Sequence, residues 1–427
     1  MARDKTRRWN FHPHRDQLLA EAHARPFVLL DTPMLAARIA TLSGPEGAEL
    51  DRAHMVALCR KLGQPEPSPE ARWAAVEDGS WQLRWERHTE FSTWTFFRQP
   101  TDAGIFATTA FEAAPQDWLA ALPGEVLVSA ILEVRSRDAV PNPADHFAKD
   151  MVGSSVMDWA ASVYSDFRTD GDGTTRFLIL TGVNNPPLVG RLARSLLEVE
   201  TYRLMSLLAF PLAGEAGSVV SRIEKEAGAL AAQLKGETNP ENDRKLLARL
   251  AELAGEAEAL SLRTNFRFGA ATAYHEIIHD RLSAIREEQE VGVQTFSEFM
   301  ERRLGPAMRT CASVARREAA LIERIARTGQ MLSIRVQVAS EESSVALLKS
   351  MDKRAGDQLR LQRTVEGLSV AAISYYVIGL LLYVAKAVEH LVTGFDPVLI
   401  VGLSAPLVAL GVWLILRRLR ASFDGDD

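Results

Sequence analysis

The sequence has very little cysteine. Among 427 residues only Cys59 and Cys311 are cysteines, and they lie far apart. This usage suits a reducing cytosol and provides neither a disulfide framework nor a C-x-x-C motif for metal binding or redox chemistry. A disulfide-stabilised secreted domain is therefore excluded.

An excess of basic charge is also lacking. The chain has 49 Lys and Arg against 55 Asp and Glu, a formal net charge of -6. Attraction to nucleic-acid phosphates is not indicated, and we expect no nucleic-acid partner. The basic N-terminus is not followed by an apolar stretch, so no cleaved secretory signal is expected.

Sequence motifs of common enzymes are missing. The chain has no P-loop, no dinucleotide fingerprint and no serine or cysteine nucleophile motif. We therefore expect a protein that is not an enzyme and has no cofactor, with a divalent cation as the one ligand left open.

Two long apolar runs are present near the C-terminus. Residues 368–385 contain eighteen residues without a charge, and residues 398–416 contain nineteen. At 1.5 Å per residue, each just spans about 30 Å of hydrocarbon. The sequence predicts two transmembrane helices, with a buried helical hairpin as the alternative.

Lys and Arg counts predict the orientation of these helices. Five Lys or Arg residues lie in the twenty residues before the first run, one lies in the link 386–397, and three lie in RRLR after the second run. Because basic residues concentrate on the cytoplasmic side, we expect both termini in the cytoplasm and an outer loop with Glu389 and Asp396. The expected location is the bacterial inner membrane.

The rest of the chain divides into a strand-rich and a helix-rich part. Helices are expected at 15–24 and 46–62, and DGDG at 170–173 is a tight turn between two strands. Asn239-Pro240 and Pro306 are helix start signals, and from Pro306 one helix should run into the first span. Such a helix needs partners, either preceding helices or copies of itself. The predicted strands are 81–86, 89–98, 125–134, 154–167 and 175–182.

The predicted fold class is an α+β cytoplasmic domain followed by an all-α long-helix stalk and two C-terminal transmembrane helices. The expected boundaries are 1–190 for the α+β domain, 191–304 for a helical layer, 305–367 for the stalk helix, 368–385 for the first span, 386–397 for the outer loop, 398–416 for the second span and 417–427 for a basic, then acidic tail.

The stretch AYHEIIHDRL contains a zinc-protease pattern. On a helix His275 and His279 lie on one face with Glu276 beside them as a general base. A catalytic zinc needs a third protein ligand, and neither Glu298 nor Glu301 stands in the sequence context of one. A solvated helical face is the favoured interpretation, and a zinc metallopeptidase is a remote alternative.

Four stretches resemble a bacterial family of uncharacterised membrane-anchored proteins, a domain of unknown function. The resemblance covers nearly the whole chain and implies no activity or functional residues. It rests on HPHRDQLLAEAHARPF (12–27), HTEFSTWTFF (88–97), RRLGPAMRTC (302–311) and QLRLQRTVEGLSVAAISYYVIGL (358–380).

The architecture also resembles the CorA-type divalent-cation transporters, which are homopentamers with a pore lined by the first span. The Gly-Met-Asn filter of those proteins is missing, and residues 383–386 read Tyr-Val-Ala-Lys instead. Magnesium selectivity is therefore not implied.

A polar stripe on the first span leaves two functions open. Polar groups in a span usually face a bundle interior or a wet cavity. The stripe could line a pore in a homo-oligomer, with the outer carboxylates concentrating cations, or it could only pack helices together. The best mechanistic interpretation of the sequence is CorA-like cation transport or a cation channel, and the alternative is a membrane-tethered scaffold or sensor that binds a cytosolic partner. In the stripe, Ser369, Tyr376, Tyr383 and His390 recur every seven residues, and Glu366 lies near its cytoplasmic end.

Overall fold

The computed structural model describes residues 11–16, 18–19, 27–44, 47–101, 104–234, 236, 239–389 and 396–423. The chain forms two compact units. We call Met1–Gly236 with Ala248–Gly329 the sheet unit, and Glu237–Leu247 with Gln330–Asp427 the helix unit.

The sheet unit contains a mixed sheet of nine strands in the order β2-β3-β4-β1-β5-β8-β7-β6-β9. All neighbouring strands are antiparallel except β5 and β8, which are parallel. The strands are β1 (Met34–Leu42), β2 (Trp73–Asp78), β3 (Trp81–Arg87), β4 (Ser92–Arg98), β5 (Glu125–Ser136), β6 (Val152–Val156), β7 (Ala161–Thr169), β8 (Thr175–Thr181) and β9 (Glu288–Gln289).

Each predicted strand segment lies in this sheet, with one correction. The segment 154–167 is a hairpin of two strands, because Met157, Asp158 and Trp159 all have positive φ and reverse the chain between β6 and β7. The DGDG turn is confirmed. The carboxylate of Asp170 accepts hydrogen bonds from the backbone N–H groups of Asp172 and Thr174, at 3.0 and 2.9 Å.

Three strands were not predicted from the sequence. β1 lies between β4 and β5, is largely buried, and is rich in alanine, so it shows neither clean alternation nor strong β-formers. β2 is a mostly exposed edge strand. β9 has only two residues, lies beyond the strand-rich part expected at 1–190, and pairs with β6.

Eight helices follow from the described residues. The pattern predicted at 46–62 is confirmed as α1, whereas of the helix expected at 15–24 only 15–16 and 18–19 are described, and they are helical. The helices are α1 (Gly47–Lys61), α2 (Gln116–Ala120), α3 (Pro186–Leu207), α4 (Ala209–Gln233), α5 (Pro240–Ile285), α6 (Phe296–Arg303), α7 (Gly305–Glu389) and α8 (Pro397–Phe423).

The core of the sheet unit lies on both faces of the sheet. On one face, Trp85 and Trp94 pack with Leu58 of α1 and Trp118 of α2. The opposite face is covered by α3, which contacts β5 and β1. Side chains alternate along a strand, so β1 sends Ala37 to the first face and Arg38 to the second.

Both predicted helix starts are confirmed. The Asn239 side chain accepts hydrogen bonds from the backbone N–H groups of Glu241 and Asn242, which caps α5. From Gly305, α7 runs for 85 residues, and Gly329, Gly356 and Gly367 do not interrupt it.

Three described helical stretches are long and apolar enough to cross a membrane: Pro186–Gln233, Gly305–Ala387 and Pro397–Leu416. The first contains α3, which buries Glu198 and Glu200 in ion pairs with arginines and packs on the sheet. The other two contain the predicted spans.

A buried carboxyl group joins α5 and α7 inside the sheet unit. Glu318 is 4% exposed. Both of its carboxylate oxygens lie near the hydroxyl of Thr264, at 3.1 and 2.9 Å. Burial raises the pKa of Glu318, while the hydrogen bond from Thr264 opposes the rise.

This carboxyl should make stability depend on pH. A raised pKa means that the folded protein binds the proton more tightly than the unfolded chain, so stability falls as pH rises above 4.5, the ordinary glutamate pKa. We expect Glu318→Gln to gain stability relative to the wild type between pH 5 and pH 8. Urea unfolding at both pH values measures this, and a difference that shrinks with rising pH would contradict it.

Candidate functional site

The first predicted span carries a groove with three tyrosines. Tyr376 and Tyr383 are 71% and 77% exposed. Gly379 lies between them and lets another backbone approach closely, because it has no side chain. The groove has a volume of about 600 Å³ and is lined by Tyr375, Tyr376, Gly379, Leu380, Leu382, Tyr383 and Lys386.

The predicted polar stripe is divided between two grooves. Glu366 and Ser369 line a second groove of about 620 Å³ together with Trp413 of α8. On a straight helix, a spacing of seven residues drifts by about 20° per heptad, so residues along the stripe turn progressively away from its start. Tyr376 and Tyr383 therefore line one groove, and Glu366 and Ser369 line the other. The four residues do not share a single groove. His390 lies outside the described residues.

The acidic residues of the predicted outer loop lie at helix ends. Glu389 ends α7, and Asp396 precedes α8. The Asp396 carboxylate accepts hydrogen bonds from the backbone N–H groups of Val398 and Leu399, at 3.0 and 3.3 Å. Asp396 therefore caps α8, a role that needs no bound cation.

The histidines of the zinc-protease pattern meet on α5. The Nε2 atoms of His275 and His279 are 3.3 Å apart and share a hydrogen bond, whose direction depends on the ring tautomers. His275 is half-buried, whereas Glu276 and His279 are exposed. Ile278 and Leu282 of the same helix are buried, so the apolar stripe faces the interior as the sequence predicts.

The electrostatic surroundings of His275 favour its neutral form. Burial lowers the pKa of His275, and the neighbouring His279 lowers it further, while Glu301 and Glu276 oppose the shift. Glu301 lies on α6 and accepts a hydrogen bond from Arg309 at 2.9 Å. Among the described residues, no group of three or more His, Cys, Asp or Glu side chains is placed to hold a metal ion.

A polar pocket on the sheet unit was not predicted from the sequence. Asp51 of α1 is buried and accepts hydrogen bonds from the hydroxyls of Ser43 and Ser92, at 2.7 and 2.6 Å. Burial raises the pKa of Asp51, and both hydroxyls oppose the rise. The pocket has a volume of about 540 Å³, within the range of small-molecule sites.

Charged side chains line the mouth of this pocket. Arg87 is the last residue of β3, His88 and Glu90 come from the turn between β3 and β4, and Arg267 comes from α5. Glu90 accepts hydrogen bonds from Arg267 and from the hydroxyl of Tyr274, the latter at 2.6 Å. The lining residues come from three separate stretches, 42–51, 87–92 and 266–267, so no single motif contains the pocket.

A second polar cluster lies between the sheet and α3. Arg38, Arg84 and Arg194 surround Glu86 there. The cavity measures about 20 Å³, which is room for one water molecule. Glu198 accepts hydrogen bonds from both Arg194 and Arg281. These charges are packed against one another and form a structural network.

The fold and the candidate sites described above define the class of protein. It has an α/β sheet and a long helical region, and its last helices are apolar enough to cross a membrane. The chain belongs to the family described as Protein of unknown function (DUF3422), whose model matches residues 10–423. No curated protein and no solved structure matches the chain. The resemblance to CorA-type transporters is therefore not supported.

Proposed function

We propose that this protein is a membrane-tethered scaffold or sensor of the bacterial inner membrane, with self-associating copies and a sheet unit that binds a cytosolic partner. The observation that carries the proposal is the apolar surface left exposed along α7 and α8. Both termini face the cytoplasm, and the lipid bilayer surrounds the two C-terminal helices.

The anchor is supported by burial. In the most apolar stretch of α7 only 11% of the residues are buried, and in that of α8 only 6%. A water-soluble protein rarely leaves such large apolar patches open, whereas lipid covers them without loss.

Self-association is supported by an exposed apolar seam on α7. We define the seam as Ile334, Val338, Val345, Leu348 and Leu359, which are 48% to 64% exposed. Their spacing fits alternating steps of three and four residues, the pattern of a coiled coil. Glu341 and Asp352 occupy two positions of the same register, where carboxylates lower the stability of the pairing. The partner that this seam fits is the same seam of a second copy.

The tyrosine groove supports contact between copies inside the membrane. Tyr376 and Tyr383 are 71% and 77% exposed, and placing their hydroxyl groups against lipid hydrocarbon costs free energy. A second α7 packed over Gly379 would shield Tyr376 and Tyr383 and offer them hydrogen-bond partners.

A cation channel is the second candidate, and Lys386 weighs against it. A pore lined by Tyr376 and Tyr383 would also be lined by Lys386, which shares their groove. A ring of ammonium groups repels cations and selects anions. The scaffold is therefore the better supported of the two. The zinc metallopeptidase has two histidines but lacks the third protein ligand of such sites among the described residues.

The anchor is tested by the accessibility of single cysteines. Native Cys59 and Cys311 are buried, and burial raises the pKa of both thiols, so they react slowly with maleimides. In intact spheroplasts, a membrane-impermeant maleimide should label Asp396→Cys. It should label Ser350→Cys, an exposed position on α7, only after the membrane is permeabilised.

The unsubstituted protein serves as the control for background labelling. Equal labelling of both positions in intact cells, or recovery of the protein in the soluble fraction, would contradict the proposed topology.

A further inference from the structure

We propose that His275 and His279 form a binding site for a divalent transition-metal cation, Zn²⁺ or Cu²⁺, on the surface of α5. The site has two protein ligands and leaves the remaining coordination positions to water or an exchangeable ligand. It is separate from the proposed anchor and from self-association.

The separation of the two nitrogens matches the geometry of a bound ion. Zinc binds histidine nitrogen at about 2.0–2.1 Å in a tetrahedral arrangement, which places two ligand nitrogens about 3.3–3.4 Å apart. The Nε2 atoms of His275 and His279 are 3.3 Å apart. Residues four apart on a helix share one face, so the backbone already holds both rings in position.

Two carboxylates near His275 favour a cation there. Glu276 and Glu301 are both close enough to act electrostatically on His275. Arg309 partly neutralises Glu301 through their hydrogen bond.

The site lacks the support that tight zinc sites have. Ligating histidines usually donate their second ring N–H to a carboxylate or carbonyl. In the described part of the chain, the Nδ1 atom of His275 is buried without a hydrogen-bond partner. We therefore infer an exchangeable ion, and expect Cu²⁺ to bind more tightly than Zn²⁺ in line with the usual order of affinities.

The test is calorimetric titration of the full chain in detergent micelles with Zn²⁺ and Cu²⁺, after treatment with a chelator and without a polyhistidine tag. We expect His279→Ala, a change at an exposed position, to weaken binding by about tenfold or more, because a lost ligand costs at least as much as a lost supporting group. Glu276→Gln removes a nearby negative charge but no ligand, so it should weaken binding less than His279→Ala does.

A matched control comes from a second pair of histidines. His12 and His14 are also close, with ring centroids 5.4 Å apart. The double variant His12→Ala/His14→Ala should bind both ions as the wild type does. If it loses binding while His275→Ala/His279→Ala keeps it, the proposed site is wrong. Circular dichroism of each variant verifies that the helices are intact.

Discussion

Replacing Leu58 by alanine is expected to lower the free energy of unfolding of the sheet unit by about 2–5 kcal/mol. Leu58 is 0% exposed and lies in the cluster of α1 with Trp85, Trp94 and Trp118. These large aromatic side chains are constrained by one another, so they cannot close the cavity that a missing isobutyl group leaves. Urea unfolding followed by tryptophan fluorescence measures the loss, because seven of the eight tryptophans precede residue 160.

The same helix provides the control for this prediction. Leu50 also lies on α1 but is 54% exposed. Leu50→Ala should change the free energy of unfolding by less than about 0.5 kcal/mol, as surface substitutions do. Equal losses in the two variants would show that α1 does not pack on the sheet through the face described above.

Placing aspartate at both Val345 and Leu348 is expected to separate the copies of the protein. Both side chains lie on the α7 seam, at 51% and 64% exposure in one copy. Burying each against a second copy contributes about 1.5–3 kcal/mol, and a buried unpaired carboxylate adds a further penalty. A loss of about 4 kcal/mol of association free energy raises the dissociation constant about a thousandfold. Light scattering of the protein in dilute detergent measures the change in mass.

The control carries the same two added charges on another face of α7. Ser343 and Ser350 are exposed and lie seven residues apart, on the side of α7 away from the seam. Ser343→Asp/Ser350→Asp should keep the mass of the wild type. If the seam variant keeps that mass as well, the seam does not join copies.

Strong local signals in the sequence predicted much of the fold. The eighteen-residue uncharged run, Asn239-Pro240 and the DGDG turn each act within a few residues, and the structure has an apolar helix, a helix start and a turn at those places. The strand β1 was not predicted because burial on both faces removes the alternation that identifies a strand.

The candidate sites were harder to predict, because tertiary contacts create them. The contacts of Asp51 with Ser43 and Ser92 form only after α1 folds against the β3–β4 turn. No spacing in the sequence predicts them. The His275–His279 pair was visible because a helix brings residues four apart together. The polar stripe stays a prediction, and its described residues line two grooves, Glu366 and Ser369 in one and Tyr376 and Tyr383 in the other.

The mass of the wild-type protein reconstituted in lipid nanodiscs tests the central claim most directly. Entry into the disc requires the anchor, and the mass of the particle gives the number of copies. A membrane-tethered, self-associating protein predicts a particle with two or more 47.1 kDa chains in each disc. A single chain in each disc at every protein concentration, or failure to enter the disc, would contradict the account.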